Sequence, residues 1–179
     1  VRYLLSTKHL EGYRRLGGDA VGVYENEDVL PRSWVVNCVE HPESIWTALA
    51  TFDPRKTALI ETEIDIPCTG SLGATPVEIL SDSSQEISLR LESLQSGIVI
   101  VRDAWYPGWF AEVNGVKTPI SRVNWNFRAV PIQKGTTTIN MYYSPKWLYP
   151  VFGVAFLCLI GTALLVQRSE KVSSDAVAS

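Results

Sequence analysis

The chain has 179 residues, a formal net charge of −3 and Lys and Arg residues scattered along it, so no basic stripe is available to track phosphates and a nucleic-acid partner is excluded. Three cysteines and two histidines, without CxxC or HExxH spacing, leave no legible metal site, and no cofactor is expected. The opening VRYLLST has neither a basic n-region nor an apolar h-region, so no signal peptide is read in it, and delivery of the domain outside the cytoplasm would fall to membrane helices upstream.

In chain order, the first section mixes short strands with one helix. Tyr3 to Ser6 and Ala20 to Glu25 read as strands around the turn Leu16-Gly17-Gly18-Asp19. Ser33 to Val39 is rich in β-branched and aromatic residues and predicts a strand buried on at least one face. Pro42 suits a first helical position, and a short helix with an acidic first turn is predicted from it to Leu49, ended by Phe52-Asp53-Pro54. After the Gly, Ser and Thr-rich stretch from Thr69 to Thr75, Glu86 to Glu92 alternates polar and apolar residues as a half-buried strand does, and Ile98 to Val101 is wholly apolar. Asn114-Gly115 predicts a tight hairpin between Phe110–Val113 and Lys117–Ile120, since both turn residues need positive φ, and Lys134-Gly135 predicts another between Asn126–Ile132 and Thr137–Tyr143.

Regular turn spacing of this kind predicts a mainly β fold, an antiparallel, jelly-roll-like β-sandwich. Residues 147–166, WLYPVFGVAFLCLIGTALLV, are uncharged and apolar; about 20 residues at about 1.5 Å each give roughly 30 Å, the thickness of a hydrocarbon core, so a transmembrane helix is expected there. Trp147 and Tyr149 suit an aromatic belt, and Arg168 and Lys171 behind the run favour a cytoplasmic C-terminus, with Lys134 and Lys146 weighing the other way. The chain then divides into a mixed α/β section at 1–68 packed on or continuing into the sandwich, the sandwich at 69–146, the membrane helix at 147–166 and a tail without regular structure at 167–179. Cys158 falls in the membrane run; Cys38 and Cys68 either form a disulfide or are simply buried on strands.

The densest chemistry is Asp103-Ala104-Trp105-Tyr106-Pro107-Gly108-Trp109 followed by Asn124-Trp125-Asn126-Phe127-Arg128. Two roles are open. Trp105, Tyr106, Trp109 and Trp125 could stack on sugar rings while Asp103, Asn126 and Arg128 bond hydroxyls; or the aromatics close the end of the core around a paired arginine. No carboxylate spacing singles out an acid/base pair, no G-x-S-x-G elbow is present, and TGSLGATP lacks the lysine of a phosphate loop. The residues describe no active site.

YENEDVLPRSWVV at Tyr24–Val36, FDPRKTALIE at Phe52–Glu61, DAWYPGWFAEVNG at Asp103–Gly115 and NFRAVPIQKG at Asn126–Gly135 together resemble, in order, the C-terminal part of the YfhO family of bacterial membrane proteins. Tyr143-Ser144-Pro145 resembles the family's element before its last membrane helix, and the likeness runs from Val1 to Val166. Trp34 and Phe110 depart from it: another aromatic is common at the first position and a basic residue at the second. The resemblance implies a multi-spanning GT-C-type glycosyltransferase that moves sugar from a polyprenyl-phosphate carrier to an envelope polymer outside the membrane. Its acidic catalytic residues would lie in early extracytoplasmic loops, so none is carried over and this segment is expected to be non-catalytic. The expectation is an extracytoplasmic accessory domain with a last membrane helix, whose partners are the bilayer, the upstream helices of the same protein and an envelope glycan or lipid-linked sugar. The alternative is a membrane-anchored surface domain that is only structural or glycan-binding.

Overall fold

The computed structural model describes residues 2–62, 64, 66, 68, 75–146 and 148–177, with side chains described everywhere in that set except 76 and 164–177. Strands β1 (Tyr3–Ser6), β2 (Arg14–Gly17), β3 (Gly22–Glu25), β4 (Ser33–Val36) and β5 (Val39–Glu40) precede helix α1 (Ile45–Leu49). Then come β6 (Ala58–Leu59), β7 (Thr75–Pro76), β8 (Glu78–Asp82), β9 (Glu86–Ser93) and β10 (Gly97–Ala104). The chain continues through β11 (Trp109–Val113), β12 (Val116–Thr118), β13 (Ser121–Val123), β14 (Phe127–Ile132) and β15 (Gly135–Tyr143) to helix α2 (Leu148–Val177).

It forms two compact units, residues 1–105 with 110–142, and residues 106–109 with 143–179. In the first, two five-stranded sheets run β13-β14-β10-β4-β7 and β12-β11-β15-β9-β8, beside a three-stranded sheet β1-β3-β2 and the parallel pair β5-β6. The fold is mainly β with antiparallel sheets, as the turn spacing predicts. Strand β4, from the first 68 residues, lies inside a five-stranded sheet between β10 and β7, so the early section continues into the main sheet.

Strand β10 explains this arrangement. Ile98, Val99, Ile100 and Val101 are all fully buried, and a strand covered on both faces reads as a continuous apolar run. On one face Ile98 and Ile100 pack with Trp34, Val36, Ala58, Ile60, Val123 and Ala129. The Trp34 indole N–H, which would be costly to bury unpaired, donates to the Pro54 carbonyl at 3.0 Å. The alternate residues Val35, Val99, Val101, Val130 and Ile132 are buried too. In the second sheet β9 and β15 pair in register from Ser93↔Gly135 to Glu86↔Tyr142, and only alternate residues (Ile87, Leu89, Ile139, Met141) are fully buried, the period-2 signature of a half-covered sheet.

Several local expectations shift. The Asn114-Gly115 turn forms, with φ of 52° and 77°. Helix α1 begins at Ile45 after an extended Ser44 and has no acidic first turn, so Pro42 and Glu43 stand outside it. Strand β8 adds to the edge beside β9 through a turn in which the Ser83 hydroxyl accepts the Glu86 N–H at 3.0 Å. Cys38 and Cys68 form a disulfide. The residues 69–74 of the Gly, Ser and Thr-rich stretch, and Trp147 of the expected aromatic belt, lie outside the described residues.

The second unit holds the C-terminal helix, and here the sequence expectation is corrected. Among the described residues no helix is long and apolar enough to cross a membrane. Helix α2 also continues past Val166 to Val177, through residues read as an irregular tail.

In the three-stranded sheet, Arg14 and Arg2 both bond the largely buried Glu25 carboxylate, and Arg14 above all holds it below the ordinary glutamate range against the opposing effect of burial. A depressed carboxylate stabilises the fold fully above its unfolded value of about 4.3 and loses that contribution as pH falls toward the folded value. Acid titration of unfolding free energy should therefore steepen below about pH 4.3, and Glu25→Gln should remove that part of the slope. A variant with the wild-type acid profile would show that Glu25 does not carry it.

Candidate functional site

The site is built on the hairpin β13–β14. Its pairing runs Ser121↔Ala129, Arg122↔Arg128 and Val123↔Phe127, leaving Asn124, Trp125 and Asn126 as the loop. Asn124 and Trp125 both have positive φ, 47° and 76°, without a glycine between them. Asparagine tolerates the left-handed region; for tryptophan it is a strained conformation that other interactions must hold. They do so through residue 124. Its backbone N–H donates to the Leu59 carbonyl at 2.8 Å, and its side-chain Oδ1 accepts the Leu59 N–H, also at 2.8 Å. The Ile60↔Val123 bridge extends the clamp by one residue.

The clamp brings Glu61 and α1 to the hairpin. Trp125, held at the loop, meets Trp46 of α1 edge-on, with planes 70° apart, and Trp46 is 63% exposed. Arg122 bonds the Glu61 carboxylate and lies over the Trp105 ring at 5.8 Å. The two charged groups are each 45% exposed, so the pair adds little stability and its charges stay available to solvent or ligand. A groove lined by Trp46, Ile45, Trp125, Glu61 and Arg122 opens on one side of this pair. On the other, a wider one of about 490 Å³ is lined by Trp105, Ile64, Pro119, Ile120, Glu61 and Arg122. Three indoles thus flank one cation and one carboxylate at an accessible surface. Such a set can stack on apolar ring faces and exchange hydrogen bonds with hydroxyls, but it offers no nucleophile oriented by a base.

The remaining residues singled out from the sequence go elsewhere. Arg128 stands opposite Arg122 on the hairpin, and two like charges so placed need separate partners. Arg128 has Asp103 at 2.7 Å and is nearly fully buried; Asp103 also receives Arg32 at 3.1 Å, and Arg32 reaches Asp82 at 3.0 Å. That network ties β14, β10 and the strand ends around them. Asn126 contributes its backbone carbonyl, which accepts the Trp105 N–H at 2.8 Å, while its side chain is exposed. Tyr106 and Trp109 pack with each other and with Tyr143 in the second unit. Of the seven residues, the grooves therefore hold Trp105 and Trp125. The grooves add Trp46, Glu61 and Arg122, of which only Arg122 has a legible sequence signal, the out-facing position of the alternating Ser121-Arg122-Val123. Among the described residues no group of three or more His, Cys, Asp and Glu could hold a metal ion.

The molecule is thus a β-rich module of antiparallel sheets with an exposed tryptophan surface, followed by an apolar C-terminal helix. Residues 71–155, from just before β7 into α2, match the model of the family described as bacterial membrane protein YfhO. The phrases at Tyr24–Val36 and Phe52–Glu61 lie outside the matched residues. No curated protein and no solved structure matches the chain.

The clamp makes Asn124 the residue on which the site's geometry hangs. Asn124→Ala should cost about 1–3 kcal/mol by leaving the buried Leu59 N–H unsatisfied, plus about 1–2 kcal/mol for alanine in the left-handed region. Asn124→Gly keeps the backbone conformation and should lose measurably less in chemical denaturation. Equal losses would show that the left-handed backbone at this position costs nothing.

Proposed function

We propose that this chain is the extracytoplasmic C-terminal accessory domain of a polyprenyl-phosphate-sugar-dependent glycosyltransferase acting on cell-envelope polymers, and that its Trp46–Trp125–Arg122–Trp105 surface contacts the acceptor glycan. The observation that carries the reading is the trio of indoles around the Arg122–Glu61 pair, Trp46 and Trp125 exposed and Trp105 half-buried, with Trp125 on a strained backbone. A merely structural aromatic cluster gains by burial; Trp46 is left mostly in solvent. The chemistry of catalysis belongs to other parts of the parent protein.

Two further features favour an extracytoplasmic module at the membrane. The Cys38–Cys68 disulfide suits an oxidising compartment. In α2, Val151, Phe152, Val154, Phe156, Leu157 and Leu159 point around the whole helix and each is more than half exposed. A helix apolar all round requires an apolar surrounding, and the bilayer, with upstream helices of the same protein, supplies it. In this reading α2 is the membrane-engaging helix, and the two five-stranded sheets pack as a sandwich.

Trp46→Ala and Trp125→Ala in the full-length parent protein should lower sugar transfer to the envelope polymer in cells. Because both rings are substantially exposed, the melting temperature should stay near wild type. Unchanged transfer by a folded, membrane-inserted double variant would remove the glycan role; a large fall in melting temperature would mark the pair as structural.

A further inference from the structure

The aromatic turn absorbed neither by the groove nor by the β core is Tyr106-Pro107-Gly108-Trp109. Its rings converge on Tyr143, the last residue of β15: Tyr106 at 5.3 Å and Trp109 at 5.7 Å between centroids, with Tyr106 and Trp109 themselves edge-on at 6.5 Å. The contact is built in. Gly108 has φ +105°, and a Cβ there would stand 2.6 Å from the Tyr143 ring, so the turn backbone and that ring fit together only with glycine. The Ser144 N–H then donates to the Gly108 carbonyl at 2.7 Å, fastening the turn to the residue that leaves the strand.

Helix α2 starts almost at once. Leu148 N–H donates to Pro145 at 3.0 Å, and Tyr149, 67% exposed, lies in the first turn. Only residues 144–147 separate the cluster from the first helical residue, a span of at most about 14 Å even if extended. Tyrosine and tryptophan combine an apolar ring with a polar tip, and this gives them their preference for the headgroup level of a bilayer. Tyr106, at 45% exposed, has its ring on the surface at the foot of an apolar helix.

We propose that Tyr106, Trp109 and Tyr143 form an aromatic footing that sits in the lipid headgroup layer and fixes the depth at which the strand-to-helix junction meets the bilayer. This rests on the reading that α2 engages the bilayer. The occupant is lipid rather than a protein groove because the cluster is joined, through a few residues and a backbone hydrogen bond, to the helix whose apolar surface needs lipid.

The test separates the two claims. The full-length protein is reconstituted in phosphatidylethanolamine and phosphatidylglycerol vesicles carrying nitroxides either near the headgroup or near the acyl-chain end. An environment-sensitive fluorophore is attached to the native thiol of Cys158, or to Tyr106→Cys in a Cys158→Ser background, with the Cys38–Cys68 disulfide left intact. Cys158 lies about 15 Å along α2 from Leu148 and should lose most fluorescence to the deep nitroxide. The Tyr106→Cys label should lose most to the shallow one. A label at residue 106 quenched by aqueous iodide and by neither nitroxide, with Cys158 still quenched by the deep probe, would overturn the footing and leave the helix reading standing. Absence of lipid quenching at both positions would overturn both. Since the label replaces one ring of the cluster, Pro107→Cys must report the same shallow depth; a different depth there also overturns the proposal.

Discussion

Strand β10 carries consecutive branched residues from Ile98 to Val101, all of them buried, and a strand buried on both faces obliges the chain to cover its sheet twice. One of those covers is the segment around Ala58, Leu59 and Ile60, which lies over Trp34, Ile98 and Ile100. Placing that segment there has a consequence at its end. Leu59 is drawn against Asn124, and Glu61 and α1 come to the rim where Trp125 emerges. The surface proposed for glycan contact is thus a by-product of how the core is closed. Removing apolar volume beneath it, at Ile60 or Val123, would disturb the site without touching a groove tryptophan.

The two arginines of the β13–β14 hairpin show how one face separates structure from function. They stand opposite each other, yet Arg128 is buried against Asp103 while Arg122 is half in solvent with Glu61 and lies over Trp105. A buried arginine stripped of its carboxylate would leave a charge out of water, a cost of several kcal/mol, whereas the exposed pair has a weak grip on its geometry. Of the two, Arg122 is accordingly the cation whose pairing is weak enough to be exchanged.

Much of this was legible in the sequence, for definite physical reasons. Alternation in Glu86–Glu92 and the Asn114-Gly115 turn announce their strands because burial on one face and positive φ each leave a residue-type signature. The hairpin at Asn124-Trp125 does not, since its left-handed residues include a tryptophan, a residue type that gives no turn signal. Strand β8 was also unmarked: all of its residues are exposed, so no buried alternation betrays it. Trp46 on a helix as short as α1 carries no sequence sign of its exposure. Asp103, Arg128, Trp105 and Trp125 stand together in the sequence, but residue types alone do not sort the ion pair that supports the sheet from the indoles that line the grooves. The length of the apolar run predicts a spanning helix, whereas among the described residues no helix is long and apolar enough to be one.

What meets Trp46 decides the role of the tryptophan surface. A photoreactive benzophenone amino acid placed at position 46 of the full-length protein in living cells, with the same residue at the exposed turn position Val116 as reference, reads this directly. Irradiation should yield an adduct that stains for glycan from position 46 and none from position 116. A position-46 adduct composed only of protein would contradict the account, making this tryptophan surface an interface with another polypeptide segment.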